Sequence, residues 1–182
     1  MAEPTPTLGV SMRLSRAPLK ATRVAGSGCG AVRYACARQL QDCIGTGSGY
    51  QAAVLAELCK KVYSIEYLQD VAEFGRNNLR AAGYPEARVA LRVGDGYKGW
   101  PEAAPFDVIL VTAAPDHVPK PLLEQLALNG KLIIPVGGES EVQELERWTR
   151  IGEGTGASAF RREKLMGVRF VPFLGDGAKG AR

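Results

Sequence analysis

The chain has 182 residues, 46% hydrophobic and 23% charged, with 22 Gly and 11 Pro. That suffices for one globular domain with a real core, and it excludes a disordered tail, a collagen-like chain and a disulfide-stapled miniature. The net charge of +4 is unevenly placed: residues 1–43 hold six Lys/Arg against Glu3 and Asp42, and the rest of the chain holds 17 charges of each sign. The body of the domain therefore offers no electrostatic case for a nucleic-acid partner. No apolar run approaches the roughly 20 residues of a membrane helix, so no membrane partner is expected either. Cys29, Cys36, Cys43 and Cys59 form no C-x-x-C pair, so no metal is expected, and nothing marks the chain as secreted; a cytoplasmic setting and a monomer are the expectations.

In chain order, the first 43 residues are rich in Ala, Arg, Gly and Cys and read as an atypical segment, disordered or replaced, with residues 44–182 as the domain proper. From Pro4 to Gln41 there is no acidic residue, which also fits a targeting presequence. Arg38–Cys43 (RQLQDC) stands where the opening strand of a parallel sheet belongs, yet its polar residues predict a poor central strand.

From Ile44 on, the periodicities are regular. Tyr50–Lys60 predicts a helix through the i,i+4 pairs Val54/Leu58 and Leu55/Cys59, and Lys61–Glu66 a strand. Leu68, Val71, Ala72, Gly75, Leu79 and Ala82 trace a helix face that Gly83 stops. Val89–Val93 and the apolar Phe106–Thr112 predict strands, Pro119–Leu128 a helix ended by Asn129-Gly130, and Lys131–Val136 a further strand. Val142–Arg150 and Val168–Phe173 predict an antiparallel pair added at the sheet edge, with a Gly-rich turn between them. Strand and helix alternate from 44 to 136, which argues an α/β fold, a mostly parallel sheet with helices on both faces.

Chemistry gathers in three loops, each at the carboxyl end of a predicted strand, where open α/β sheets bind ligands. Ile44–Tyr50 (IGTGSGY) opens directly into a helix; its glycines permit close backbone approach, and the helix start offers free N–H groups. Glu66 follows 21 residues after Gly45, the distance at which nucleotide-binding sheets place an acid on ribose hydroxyls. Gly94-Asp95-Gly96 follows the next strand. Gly47, Gly49 and Ala52 also fit G-x-G-x-x-A, so the glycine loop alone leaves a nicotinamide enzyme open. The three loops in register favour a nucleotide-type ligand.

The segments IGTGSGYQAAVLAEL (44–58), VYSIE (62–66), RVGDGYKGWPE (92–102), FDVILVTAAPDHVP (106–119), GKLIIPVG (130–137) and GVRFVPFLG (167–175) closely resemble the bacterial protein-L-isoaspartate O-methyltransferases, from Ile44 to Leu174. The resemblance implies a Rossmann-like class I S-adenosylmethionine-dependent methyltransferase fold, S-adenosylmethionine as methyl donor with S-adenosylhomocysteine as product, and isoaspartyl-containing peptides and proteins as acceptors, a protein-repair reaction. It implies donor contacts at Gly45, Thr46, Gly47, Gly49, Glu66, Tyr67, Asp95 and Gly96, and peptide contacts at Ala113, Ala114, Pro115, Val168 and Phe170.

A carboxylate acceptor with pKa of about 4 is already ionised at neutral pH, so no general base is needed and rate rests on geometry. No catalytic residue is assigned. His117 reads as a loop residue, and Tyr97 and Trp100 read as aromatic packing. The family's upstream G-x-x-x-T-I-S-type segment, whose serine lies by the transferring methyl, is not matched: Gly9 and Ser15 keep only its spacing. The alternative expectation is therefore a donor-binding domain or interaction module that transfers methyl feebly or not at all.

Overall fold

The computed structural model describes residues 40–178. They form a seven-stranded sheet of order β3-β2-β1-β4-β5-β6-β7. The strands are β1 (Leu40–Ile44), β2 (Val62–Glu66), β3 (Val89–Val93), β4 (Phe106–Val111), β5 (Leu126–Val136), β6 (Gln143–Arg150) and β7 (Phe160–Val168). The first five run parallel; β6 and β7 are antiparallel additions at one edge. Helices α1 (Tyr50–Leu58) and α2 (Gln69–Ala81) follow β1 and β2, and the short α3 (Lys120–Glu124) follows β4. No helix among the described residues is long and apolar enough to cross a membrane.

Two cores flank the sheet. One unites Ala52, Leu55, Ala56 and Cys59 of the α1 region with Ala72 and Leu79 of α2 and with Val62, Val89 and Leu91 below them. The other gathers Ile44, Phe106, Ile109, Val111, Leu132 and Ile134 from the strands with Leu122 of α3, Tyr97 and Phe173. The chain thus winds one way through β1, β2 and β3 and the other way through β4 and β5. The reversal falls between β1 and β4, where doubly wound sheets leave a crevice at their strand ends.

Four sequence expectations are corrected. The sheet opens at Leu40, upstream of Ile44: despite its composition this segment pairs on both sides, Leu40 opposite Val62 of β2 and Val108 of β4, and tertiary pairing overrides local preference. The buried face of α1 is Ala52, Leu55 and Ala56, while Leu58 is exposed. The expected helix Pro119–Leu128 stops at Glu124, because the backbone is drawn into the sheet: Phe106 N–H donates to Gln125 O, and Leu126 pairs with Phe106. Asn129, at φ 65, lies in a bulge within β5, since Phe106 and Val108 pair with Leu126 and Lys131.

The fourth correction concerns the last strand, which is Phe160–Val168 rather than Val168–Phe173. An edge strand need bury little, so its charged residues do not exclude it. They stitch it to β6 through Arg147–Glu163, Arg162–Glu146 and Lys164–Glu144. Glu146 is fully buried and also accepts from Trp148 Nε1 at 2.7 Å. Arg162→Ala strands this carboxylate, and with Arg162 half exposed the expected loss is about 2–4 kcal/mol in urea unfolding. The pairwise replacement Glu146→Leu/Arg162→Met is expected to recover most of it.

Candidate functional site

The loop after β1 is shaped by three glycines in the left-handed region: Gly45 at φ 108, Gly47 at φ 55 and Gly49 at φ 83. Gly45 is pressed against β4, where a Cβ would lie 2.8 Å from Thr112 Oγ1. Thr112 Oγ1 donates to the Ile44 and Gly45 carbonyls at 3.2 and 3.0 Å, bridging the switch point. Below the loop, the Thr46 and Ser64 hydroxyls share a buried hydrogen bond of 2.7 Å. Gly47 differs: a Cβ there would meet nothing within 4 Å. The loop thus shows an open backbone face at its centre, and α1 starts just beyond with no side-chain cap and no acid in its first turn. Apart from Tyr50 N–H, which donates to Ser48 Oγ at 3.4 Å, the N–H groups of the first helical turn beside bare backbone suit an anionic or strongly polar ligand.

Glu66, at the end of β2, is buried and faces this loop. Its Oε2 accepts from Gly47 N–H at 3.1 Å, and its Oε1 accepts from Tyr67 and Leu68 N–H at 2.9 and 3.2 Å. A carboxylate offers about four acceptor positions, so one remains for a ligand hydroxyl. Tyr67 enters through its backbone, and its side chain is exposed.

Helix α2 supports the loop through Asn78 and Gly75, neither of which sequence reasoning placed at the site. Asn78 Nδ2 donates to Ser48 O at 3.0 Å. Gly75 lets the helix touch the loop directly: a Cβ would sit 2.8 Å from Gly47 O and 3.0 Å from Thr46 Cγ2. The signal available was a glycine on the buried face of a helix, a costly residue there without a packing reason.

Asp95 and Gly96 follow β3 and lie against the end of β1. A Cβ on Gly96 would fall 1.9 Å from Ile44 Cγ2 and 2.7 Å from the Phe173 ring. Asp95 begins a single 3-10 turn, its Oδ1 accepting from Tyr97 N–H at 2.9 Å. Tyr97 stacks on Phe173 with ring centroids 4.3 Å apart, and Trp100 packs edge-on to Tyr63 at 5.1 Å, so both aromatics serve packing. Burial first, then the Asp116 and Asp95 carboxylates, push the Tyr97 phenol up to about 12. A phenol so raised favours the fold fully below its ordinary value of about 10 and withdraws that support as pH rises through 12. Stability is therefore expected to fall between pH 10 and 12, and Tyr97→Phe to flatten that fall in unfolding curves taken across the range.

The expected peptide contacts fall into two groups. Ala113, Ala114 and Pro115 leave β4 beside Thr112; Ala114 N–H donates to Val171 O at 2.8 Å, and Phe173 N–H donates to Ala114 O at 3.0 Å. Val168 ends β7, and Phe170 is held by Gln143, whose amide donates to Phe170 O at 3.0 Å and whose Oε1 accepts its N–H. Phe173 links these segments to Gly96. Buried Gln143 went unnoticed because a glutamine in a strand carries no signal of such a clamp. His117 is half-buried in the loop after β4, its ring centroid 5.9 Å from that of Tyr97, and hydrogen-bonded to Asp116.

A parallel sheet reversing between β1 and β4, a glycine loop at the reversal and an acid closing over it from β2 define a class I S-adenosylmethionine-dependent methyltransferase fold. A solved protein-L-isoaspartate O-methyltransferase matches it with a TM-score of 0.68 and 28% identity, over 78% of this chain and 43% of that one. A Plasmodium falciparum structure of the same family description, in complex with S-adenosyl-L-homocysteine, matches with a TM-score of 0.64 and 26% identity, over 75% and 66%.

The sequence model of the protein-L-isoaspartate(D-aspartate) O-methyltransferase family matches residues 35–178, and the chain belongs to that family. The match takes in β1, which lies upstream of the resemblance read from Ile44. Among curated relatives, the Gloeobacter violaceus protein-L-isoaspartate O-methyltransferase is 50% identical over 129 residues, 71% of this chain and 60% of its own length. That of Opitutus terrae is 54% identical over 130 residues, 71% and 53%. The chain thus spans between half and two thirds of the length of these relatives.

Proposed function

We propose that this protein binds S-adenosylmethionine at the carboxyl ends of β1, β2 and β3, beside the β1–β4 crevice, and transfers its methyl group to the carboxylate of isoaspartyl residues in damaged proteins. The observation that carries the reading is the Glu66–Gly47 contact: an acid at 3.1 Å holds a glycine whose outward face is open. Such a cradle fits a ligand carrying both ribose hydroxyls and a polar chain. The donor supplies an activated methyl on a sulfonium; the S–CH3 bond breaks as the O–CH3 bond forms, leaving a methyl ester and S-adenosylhomocysteine.

In this reading Gly45, Thr46, Gly47 and Gly49 hold the donor's amino-acid and ribose part, Glu66 and the Tyr67 backbone its ribose, and Asp95-Gly96 its base. Ala113, Ala114 and Pro115, with Val168 and Phe170, form walls that align the peptide. With the acceptor already ionised, the chain's contribution is alignment and exclusion of water, not proton transfer.

The test pairs calorimetric binding of S-adenosylhomocysteine with methyl-ester formation from labelled S-adenosylmethionine on an isoaspartyl peptide, using the aspartyl peptide as control. Binding together with ester formation on the isoaspartyl peptide alone is the expected result. Residues 1–34 lie outside the family match, and this favours a second reading, a donor-binding domain without transfer, which binding without ester formation would establish. Binding of NAD in preference to S-adenosylhomocysteine would overturn both.

A further inference from the structure

The turn Gly175–Ala178 lies across Asp95. The Asp95 side chain is 8% exposed, and while Oδ1 accepts from Tyr97, Oδ2 accepts from Asp176 N–H at 3.2 Å. Only bare backbone fits here. A Cβ on Gly175, which sits at φ 148, would lie 2.3 Å from Asp95 Oδ1, and one on Gly177 would lie 2.3 Å from the Tyr97 ring. Ala178 packs on the core beside Tyr97 and donates its N–H to Gly175 O at 3.2 Å. From the solvent side, Lys98 Nζ stands 2.8 Å from Asp176 Oδ2 and 3.6 Å from Asp95 Oδ2, with the Lys98 and Asp176 side chains 67% and 74% exposed.

We propose that this turn is a strap that closes the base end of the donor site and must lift for the donor to enter. The inference rests on the reading of Asp95 as the residue that meets the donor's base. With the strap down, Asp95 Oδ2 is occupied by the Asp176 N–H; the amino group of an adenine is also an N–H donor and competes for the same oxygen. The exchange replaces one donor with another on one carboxylate, so its cost is small. Besides the packing of Ala178 on the core, the strap is held down by an exposed ion pair, which salt screens. The apparent donor affinity scales with the open fraction.

Two variants release the strap by different routes. Asp176→Ala removes the ion pair, and Gly175→Ala drives a methyl into Asp95 at a φ that alanine avoids. In calorimetric titrations, S-adenosylhomocysteine is expected to bind Asp176→Ala about two- to fivefold more tightly than wild type, the range an exposed ion pair supplies. Gly175→Ala is expected to shift in the same direction. Raising the salt concentration is expected to narrow the gap between wild type and Asp176→Ala, and thermal melts establish that each variant is folded. Equal or weaker binding by both folded variants overturns the strap. Failure of wild type to bind S-adenosylhomocysteine at all overturns the donor-site reading and the strap with it, an outcome distinct from equal binding.

Discussion

Gly96→Ala is expected to lower the melting temperature by about 6–12 °C, while Gly94→Ala, two residues earlier in the same loop, leaves it nearly unchanged. The added methyl at 96 would fall 1.9 Å from Ile44 Cγ2 and within 3 Å of two Phe173 ring atoms. Ile44 is 2% and Phe173 5% exposed, so neither can retreat into solvent. Overpacking of this kind costs about 3 kcal/mol, which for a domain of this size gives the stated shift. At Gly94 the nearest atoms stand 3.8 Å from the added carbon, an ordinary contact. Differential scanning calorimetry of the two variants beside wild type decides it. Equal melting points would mean that the end of β1 and Phe173 can part without cost. The second glycine of the G-D-G motif is thus required by packing, whatever it does for a ligand.

Glu66→Ala is expected to weaken S-adenosylhomocysteine binding by about 2–3 kcal/mol, some thirty- to over a hundredfold in Kd. The substitution removes the acid that faces the glycine loop and also frees three N–H groups that it holds, those of Gly47, Tyr67 and Leu68. Because a charged acceptor with several donors is worth more than a neutral one, Glu66→Gln, which keeps one carbonyl oxygen, should fall between alanine and wild type. Calorimetry reads the affinity and a melting curve reads the loop. A large fall in melting temperature with unchanged affinity would make Glu66 a loop anchor alone, and unchanged values of both would remove it from the site.

These two residues mark how the molecule is divided between local and tertiary information. Glu66 was legible because strands ending in an acid at a fixed distance from a glycine loop leave a spacing in the sequence. Its three backbone partners were not legible, since nothing in VYSIE tells which amides turn toward its last side chain. The strands β2, β3 and β4 could be read directly from short runs rich in β-branched, aromatic and other apolar residues, VYSIE, VALRV and FDVILV, bounded by turn residues. The edge strand β7 could not. Its run of charges, residues 161–164, makes sense only when Glu144, Glu146 and Arg147 stand across from them on β6.

By itself, then, the sequence determined the elements β2, α2, β3 and β4, the glycine loop, the acid and the G-D-G turn at successive strand ends, and the family, since each rests on period, spacing or motif. The tertiary structure decided where pairing outweighs composition. It made Leu40–Ile44 a central strand because β2 and β4 flank it. It cut α3 short because Gln125 and Leu126 are held by Phe106. It brought Gly75 beneath the glycine loop and Gly175–Ala178 over Asp95, contacts across long sequence separations that no local pattern encodes. Such contacts depend on which surfaces the folded sheet brings within van der Waals distance, and that is fixed only once the chain has closed on itself.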